Sequence, residues 1–130
     1  YYKKMQTPYT PSIPHMFGLK YIIDIIENEG IENRWTRHQE MAKYTRDWAL
    51  NNGQRLFPQD GYESTTITCI DNQQGWEINR INEALLNRGF RMDRGYGKLR
   101  GKAFRVPHMG NIMMDDLKEY LNIFDEVKNV

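Results

Sequence analysis

Apolar residues recur at helical spacing in four stretches of the chain and at the shorter period of strands between them. Met16, Leu19, Ile22, Ile23 and Ile26 fall at steps of three and four, which predicts an amphipathic helix from after Pro14 to near Gly30. A second helix follows at once. It carries Trp35, His38, Ala42, Thr45 and Ala49 on one stripe with Trp48 beside it, and Asn52-Gly53 stops it with a left-handed cap. The period then shortens. Arg55-Leu56-Phe57 and the β-branched run Thr65-Thr66-Ile67-Thr68-Cys69-Ile70 are bounded by Pro58, Gly61 and Asp71-Asn72, and both read as strands. Residues 76–88 return to helical spacing, with Ile78, Ile81, Leu85 and Leu86 inward and Gly89 closing the element. Phe90–Met92 and Ala103–Val106 are short strands on either side of a glycine-rich loop, Gly95 to Gly101. A last helix runs from about Met113 to Val127, burying Leu117, Tyr120, Leu121 and Phe124. Asp115 and Asp116 sit in its first turn, where the helix dipole favours carboxylates.

Ahead of these elements stand Pro8, Pro11 and Pro14. Each fixes φ and removes a donor, so residues 1–14 are predicted to be an extended arm. The element order is arm-α-α-β-β-α-β-β-α. Helices packed on one face of a small, largely antiparallel sheet satisfy that order, an α+β fold with an arm at 1–14 and a domain at 15–130.

Composition narrows the function classes. With 130 residues the chain is the size of one domain. Its 39% hydrophobic and 12% aromatic residues are enough for a core. Eighteen Lys and Arg against 17 Asp and Glu leave a net charge of +1, without the basic surplus of a protein dedicated to nucleic acid. No apolar run approaches the roughly 20 residues that span a bilayer, so no membrane role is expected. The single cysteine, Cys69, cannot form an internal disulfide and suits a reducing cytoplasm. The opening Tyr1-Tyr2-Lys3-Lys4 has neither an initiator methionine nor a signal-peptide pattern, and reads as an excerpt from a longer polypeptide.

Motifs for metal and nucleophile chemistry are weak. His15, His38, His108 and Cys69 lie far apart, no pair has ligand spacing, and no metal site is expected. Ser12 and Ser64 lie outside any nucleophile elbow. The loop Gly95-Tyr96-Gly97-Lys98-Leu99-Arg100-Gly101-Lys102 fails as a phosphate cradle, because its glycines are misspaced and Ala103 follows Lys102. Arg94-Gly95-Tyr96-Gly97 begins an RNA-recognition signature that then breaks at Lys98 and Gly101. Arg105 is different. It lies inside the strand Phe104-Arg105-Val106, where a guanidinium can present two parallel N–H donors to a carboxylate. The same position also suits a surface arginine or a structural ion pair, and spacing alone leaves these open.

The segment from Gly97 through Lys102-Ala103-Phe104-Arg105-Val106-Pro107-His108-Met109 to Gly110 resembles the C-terminal hallmark of class V pyridoxal-phosphate aminotransferases, most nearly the alanine–glyoxylate and serine–pyruvate branch. Gln6-Thr7-Pro8-Tyr9-Thr10-Pro11 is similar to the arm that follows the large domain in this family. Glu29-Gly30-Ile31-Glu32-Asn33-Arg34-Trp35 with Arg37-His38 also matches, in order and spacing, so the likeness covers nearly the whole chain.

The resemblance implies the C-terminal small domain of a fold-type I aminotransferase, working as a cytoplasmic homodimer with pyridoxal 5'-phosphate. The parent enzyme would pass an amino group from a small amino acid, serine or alanine, to a 2-oxo acid, glyoxylate or pyruvate. Arg105 would grip the substrate carboxylate. Thr7 and Thr10, with Gln6 as a weaker candidate, would contact the cofactor phosphate of the neighbouring subunit. The family's cofactor-bearing lysine lies upstream of the arm, and no lysine of this chain stands in its context, so the fragment alone is expected to be inactive. Arg94 replaces a common family glycine, and Tyr96 occupies the next variable site, which implies either altered side-chain selectivity or a divergent reaction. The alternative is a stand-alone module that binds RNA or an acidic partner through the Gly95–Lys102 loop.

Overall fold

The architecture, taken from a computed structural model, is described for residues 2–129; Tyr1, at the start of the predicted arm, lies outside the described residues. Four helices and three strands follow one another as α1 (Ile13–Glu29), α2 (Ile31–Asn51), β1 (Arg55–Leu56), β2 (Ile67–Asp71), α3 (Ile78–Leu86), β3 (Ala103–Pro107) and α4 (Met114–Val127). The fold is α+β with a small open antiparallel sheet. Packing divides the chain into two units, Tyr1–Trp35 and Thr36–Val130.

In the first unit the arm is not extended throughout. Tyr2–Lys4 form a 3-10 turn, and α1 already begins at Ile13. Proline is tolerated in the first turn of a helix, whose N–H groups have no intrahelical partner, so Pro14 starts α1 rather than preceding it. The apolar periodicity of α1 is as predicted, yet none of its residues is buried. Met16, Phe17, Leu19, Ile22 and Ile23 are all exposed. Gly30, at φ 83°, ends α1 and separates it from α2. Trp35, assigned by its spacing to the buried stripe of α2, is 61% exposed.

The second unit holds the core. The sheet order is β1-β2-β3, and both pairings are antiparallel. Side chains alternate across a strand, so the register sorts the sheet into two faces. Thr68 and Ile70 of β2 and Phe104 and Val106 of β3 are buried. Above them pack Met41 and Trp48 from α2, Ile81 and Leu85 from α3, and Leu117, Leu121 and Phe124 from α4. Phe124 is the hub of an aromatic cluster. It stacks on Phe104 at 5.7 Å and meets Trp48 edge-on at 5.1 Å and Trp76 at 5.5 Å. The other face of the sheet carries Arg55, Asp71, Cys69 and Arg105, with Cys69 directly opposite Arg105.

One predicted strand is missing. Phe90–Met92 is not a strand, so the order has one fewer β element than expected. Its backbone donors are already committed to α3: the Phe90 N–H donates to the Leu85 carbonyl and the Met92 N–H to the Asn82 side chain. Only Asp93 reaches the sheet, through a single antiparallel bridge to Arg105.

A buried polar contact ties the sheet to the turn after β3. Thr68 Oγ1 lies 2.9 Å from His108 Nε2, with His108 fully buried. Burial, and then the Arg46 and His38 charges, push the imidazole down to about 4 from its usual 6.5. A depressed histidine leaves stability intact above pH 6.5, where folded and unfolded forms are both neutral. Below that the unfolded chain takes up the proton first, and the loss grows until pH 4. His108 is therefore expected to cost about 3 kcal/mol of stability between pH 7 and pH 4. Urea midpoints for the wild type and His108→Gln should diverge less at pH 4 than at pH 7. A constant difference would show that His108 does not titrate in this way.

Candidate active site

Strand β3 decides where Arg105 points. Phe104 and Val106 face the core, so Arg105 between them faces the uncovered side, with its side chain 43% exposed. There its guanidinium meets a carboxylate of the same fold. Nε donates to Asp93 Oδ1 at 3.0 Å, and Nη2 donates to Asp93 Oδ2 at 2.5 Å. The two-donor geometry expected of Arg105 is thus realised, but with Asp93 as the partner. The pair holds the Asp93 carboxyl below its usual range, chiefly through the Arg105 hydrogen bond, and raises the guanidinium further.

Asp93 is itself fixed. The Gly95 N–H donates to its Oδ1 at 3.0 Å, closing a tight turn. Gly95 has φ +78°, and a Cβ there would lie 2.4 Å from the carbonyl oxygens of both Leu99 and Ala103. Only glycine fits. A 3-10 turn, Gly97–Leu99, completes the glycine-rich loop, whose Lys98, Arg100 and Lys102 are solvent-exposed. Arg94 donates to Asn79 Oδ1 at 3.3 Å, and Tyr96 is 86% exposed. A cleft of about 680 Å³ is walled by Asp93, Arg91, Arg94, Tyr96 and Arg100, but Arg105 is not among its walls.

Behind β3, Arg37 of α2 holds the following turn. Its guanidinium donates to the Ile112 carbonyl at 2.5 Å and to the Gly110 carbonyl at 3.2 Å. Across the strand, Cys69 lies opposite Arg105. Burial pushes the thiol up, outweighing the guanidinium, which pulls the other way.

The arm residues lie in the other unit. Gln6, Thr7 and Thr10 are exposed, and Thr7 Oγ1 donates to the Tyr9 carbonyl at 2.6 Å. Among the described residues every lysine is exposed except Lys128, which is half-buried and bound to Asp125 at 2.8 Å and to Asn52. None is the desolvated amine that carries a carbonyl cofactor. Among the described residues there is no cluster of three or more metal-ligating side chains, and no helix is long and apolar enough to cross a membrane. Sequence reasoning missed Asp93, whose only signal was its place two residues before Gly95, and Arg37, which was noted only as part of a motif.

No family model matches the chain. An uncharacterized aminotransferase of Methanocaldococcus jannaschii is 38% identical over 85% of this chain and 29% of its own length. The serine–glyoxylate aminotransferase of Arabidopsis thaliana is 34% identical over 81% of this chain and 27% of its own. Among solved structures, pyridoxamine–pyruvate aminotransferase from Mesorhizobium loti superposes with a TM-score of 0.82 at 28% identity, over 95% of this chain and 32% of that one. The homologues of this chain are class V aminotransferases. The chain spans less than a third of the length of these relatives. Those relatives give no support to an RNA- or acidic-partner-binding module built on the glycine loop.

In the glycine-rich loop, Gly95→Ala is expected to cost about 2–4 kcal/mol, because a Cβ meets two backbone oxygens. Gly97→Ala, with φ +55° but open space around it, should cost only about 1 kcal/mol. Urea denaturation of both variants measures the difference, and equal losses would refute the close approach at Gly95.

Proposed function

We propose that the chain is the C-terminal small domain, with the preceding arm, of a pyridoxal-phosphate-dependent aminotransferase. The parent enzyme passes an amino group from a small amino acid, serine or alanine, to a 2-oxo acid, glyoxylate or pyruvate. The observation that carries this reading is Arg105, a strand-held guanidinium on the uncovered face of the sheet. The relatives, named for serine, glyoxylate, pyridoxamine and pyruvate, support the substrate class.

Pyridoxal phosphate supplies the electron sink for such a transfer when it is bound. This chain has no lysine suited to carrying it, so the isolated chain is inactive on this reading and the cofactor belongs to the whole parent. What the chain contributes is binding and orientation. Arg105 holds the substrate carboxylate by charge-assisted hydrogen bonds. In the arm, residues 1–14, Thr7 and Thr10 supply hydroxyl donors to the cofactor phosphate of a neighbouring subunit, with Gln6 beside them; their exposure supports that role. Thr7 reaches a phosphate by releasing the Tyr9 carbonyl. A cytoplasmic homodimer completes the reading.

Two measurements on the full-length enzyme test it. Arg105→Ala should lower kcat/KM by roughly 30- to 4,000-fold, since a charge-assisted pair contributes about 2–5 kcal/mol. An unchanged kcat/KM removes the carboxylate assignment. The double variant Thr7→Ala with Thr10→Ala should lose cofactor faster on dialysis than the wild type, followed by its absorbance; equal retention argues against the arm's role.

A further inference from the structure

Resting on the reading of Arg105 as the carboxylate-binding group, we propose that Asp93 is a positioning residue that fixes the Arg105 guanidinium and directs the incoming substrate carboxylate onto its Nη1–Nη2 edge. A guanidinium offers a carboxylate two bidentate edges, one formed by Nε with an Nη and one by the two Nη groups. Asp93 holds the first completely, with both of its oxygens engaged. The second edge meets no partner among the described residues, and the Arg105 side chain remains 43% exposed.

The hold on Asp93 is more elaborate than a surface ion pair needs. Such pairs contribute about 0–1 kcal/mol when exposed. Here the backbone brings Asp93 beside Arg105 through an isolated bridge, and the Gly95 N–H pins Oδ1. Gly95 in turn adopts a conformation that excludes any side chain. Three independent features therefore converge on one carboxylate. The consequence is a guanidinium with one orientation, already ordered before substrate arrives, so that less rotamer freedom is lost on binding. The Asp93 charge also offsets part of the positive field, so recognition depends on geometry more than on net attraction.

The experiment compares two amines on the full-length cofactor-loaded enzyme: L-alanine, and ethylamine, which is alanine without its carboxylate. Single-turnover half-reaction rates are measured for the wild type, Asp93→Ala, Asp93→Asn and Arg105→Ala. Asp93→Ala should reduce the preference for alanine over ethylamine by at least about tenfold, since misplacement of a binding group by an ångström is that costly. The loss should appear in the alanine concentration dependence, with the ethylamine rate held. Asp93→Asn keeps the shape and one acceptor, so it should fall between the wild type and Asp93→Ala and preserve folding. If Asp93→Ala and Asp93→Asn leave the preference unchanged, or make alanine bind more tightly, Asp93 is not a positioning residue, and in the second case it is a competitor for the fork. Arg105→Ala separates the two levels. A preference that survives Arg105→Ala defeats the reading of Arg105 itself. A preference lost in Arg105→Ala but kept in both Asp93 variants defeats only the role of Asp93.

Discussion

The alternation of β3 governs which way Arg105 faces. Phe104 and Val106 are held in the core by the aromatic cluster around Phe124, and a strand cannot bury both without turning the residue between them outward. Arg105 is therefore directed by hydrophobic burial, not by its own pairing. A register slip of one residue would bury the guanidinium and expose two large apolar side chains, each of which contributes roughly 1.5–3 kcal/mol when buried. The orientation of Arg105 thus rests on the energetics of the core.

Around that strand the glycine loop supports Asp93. Its backbone closes on itself at Gly95, and the resulting turn delivers Asp93 to the side of β3. On the following side, Arg37 caps the Gly110 and Ile112 carbonyls, and His108 sits buried against Thr68. The segment from Asp93 to Ile112 is thereby held at several points, by the Arg37 guanidinium on two backbone carbonyls and by His108 against the Thr68 hydroxyl.

Much of this was legible in the sequence where periodicity and burial coincide. The spacing of Ile78, Ile81 and Leu85 and of Leu117, Leu121 and Phe124 marks helix faces that are buried, while Leu86, also expected inward, is 43% exposed. The β-branched run around Thr68 marks β2, displaced by only a residue or two. The pattern misled where a face is apolar without being covered, as in α1 and at Trp35, because periodicity reports which side is apolar and not what lies against it. Phe90–Met92 misled for another reason: capping of α3 took its backbone donors, and cap bonds to a neighbouring helix leave no trace in local propensity. At the site, the strand context of Arg105 left a substrate-gripping fork, a surface arginine and a structural ion pair open, and the structure shows it paired with Asp93. Asp93 was not legible, since its partner lies 12 residues away and is reached only through the folded turn.

The position of Cys69 has a redox consequence. Facing Arg105 across the sheet, it has the cationic neighbour that ordinarily favours a thiolate, yet desolvation prevails and its proton is held more firmly than in water. A protonated thiol is a poor nucleophile, slow to oxidise or to exchange with disulfides. The sulfur on the face that displays Arg105 is thereby held as the less nucleophilic thiol.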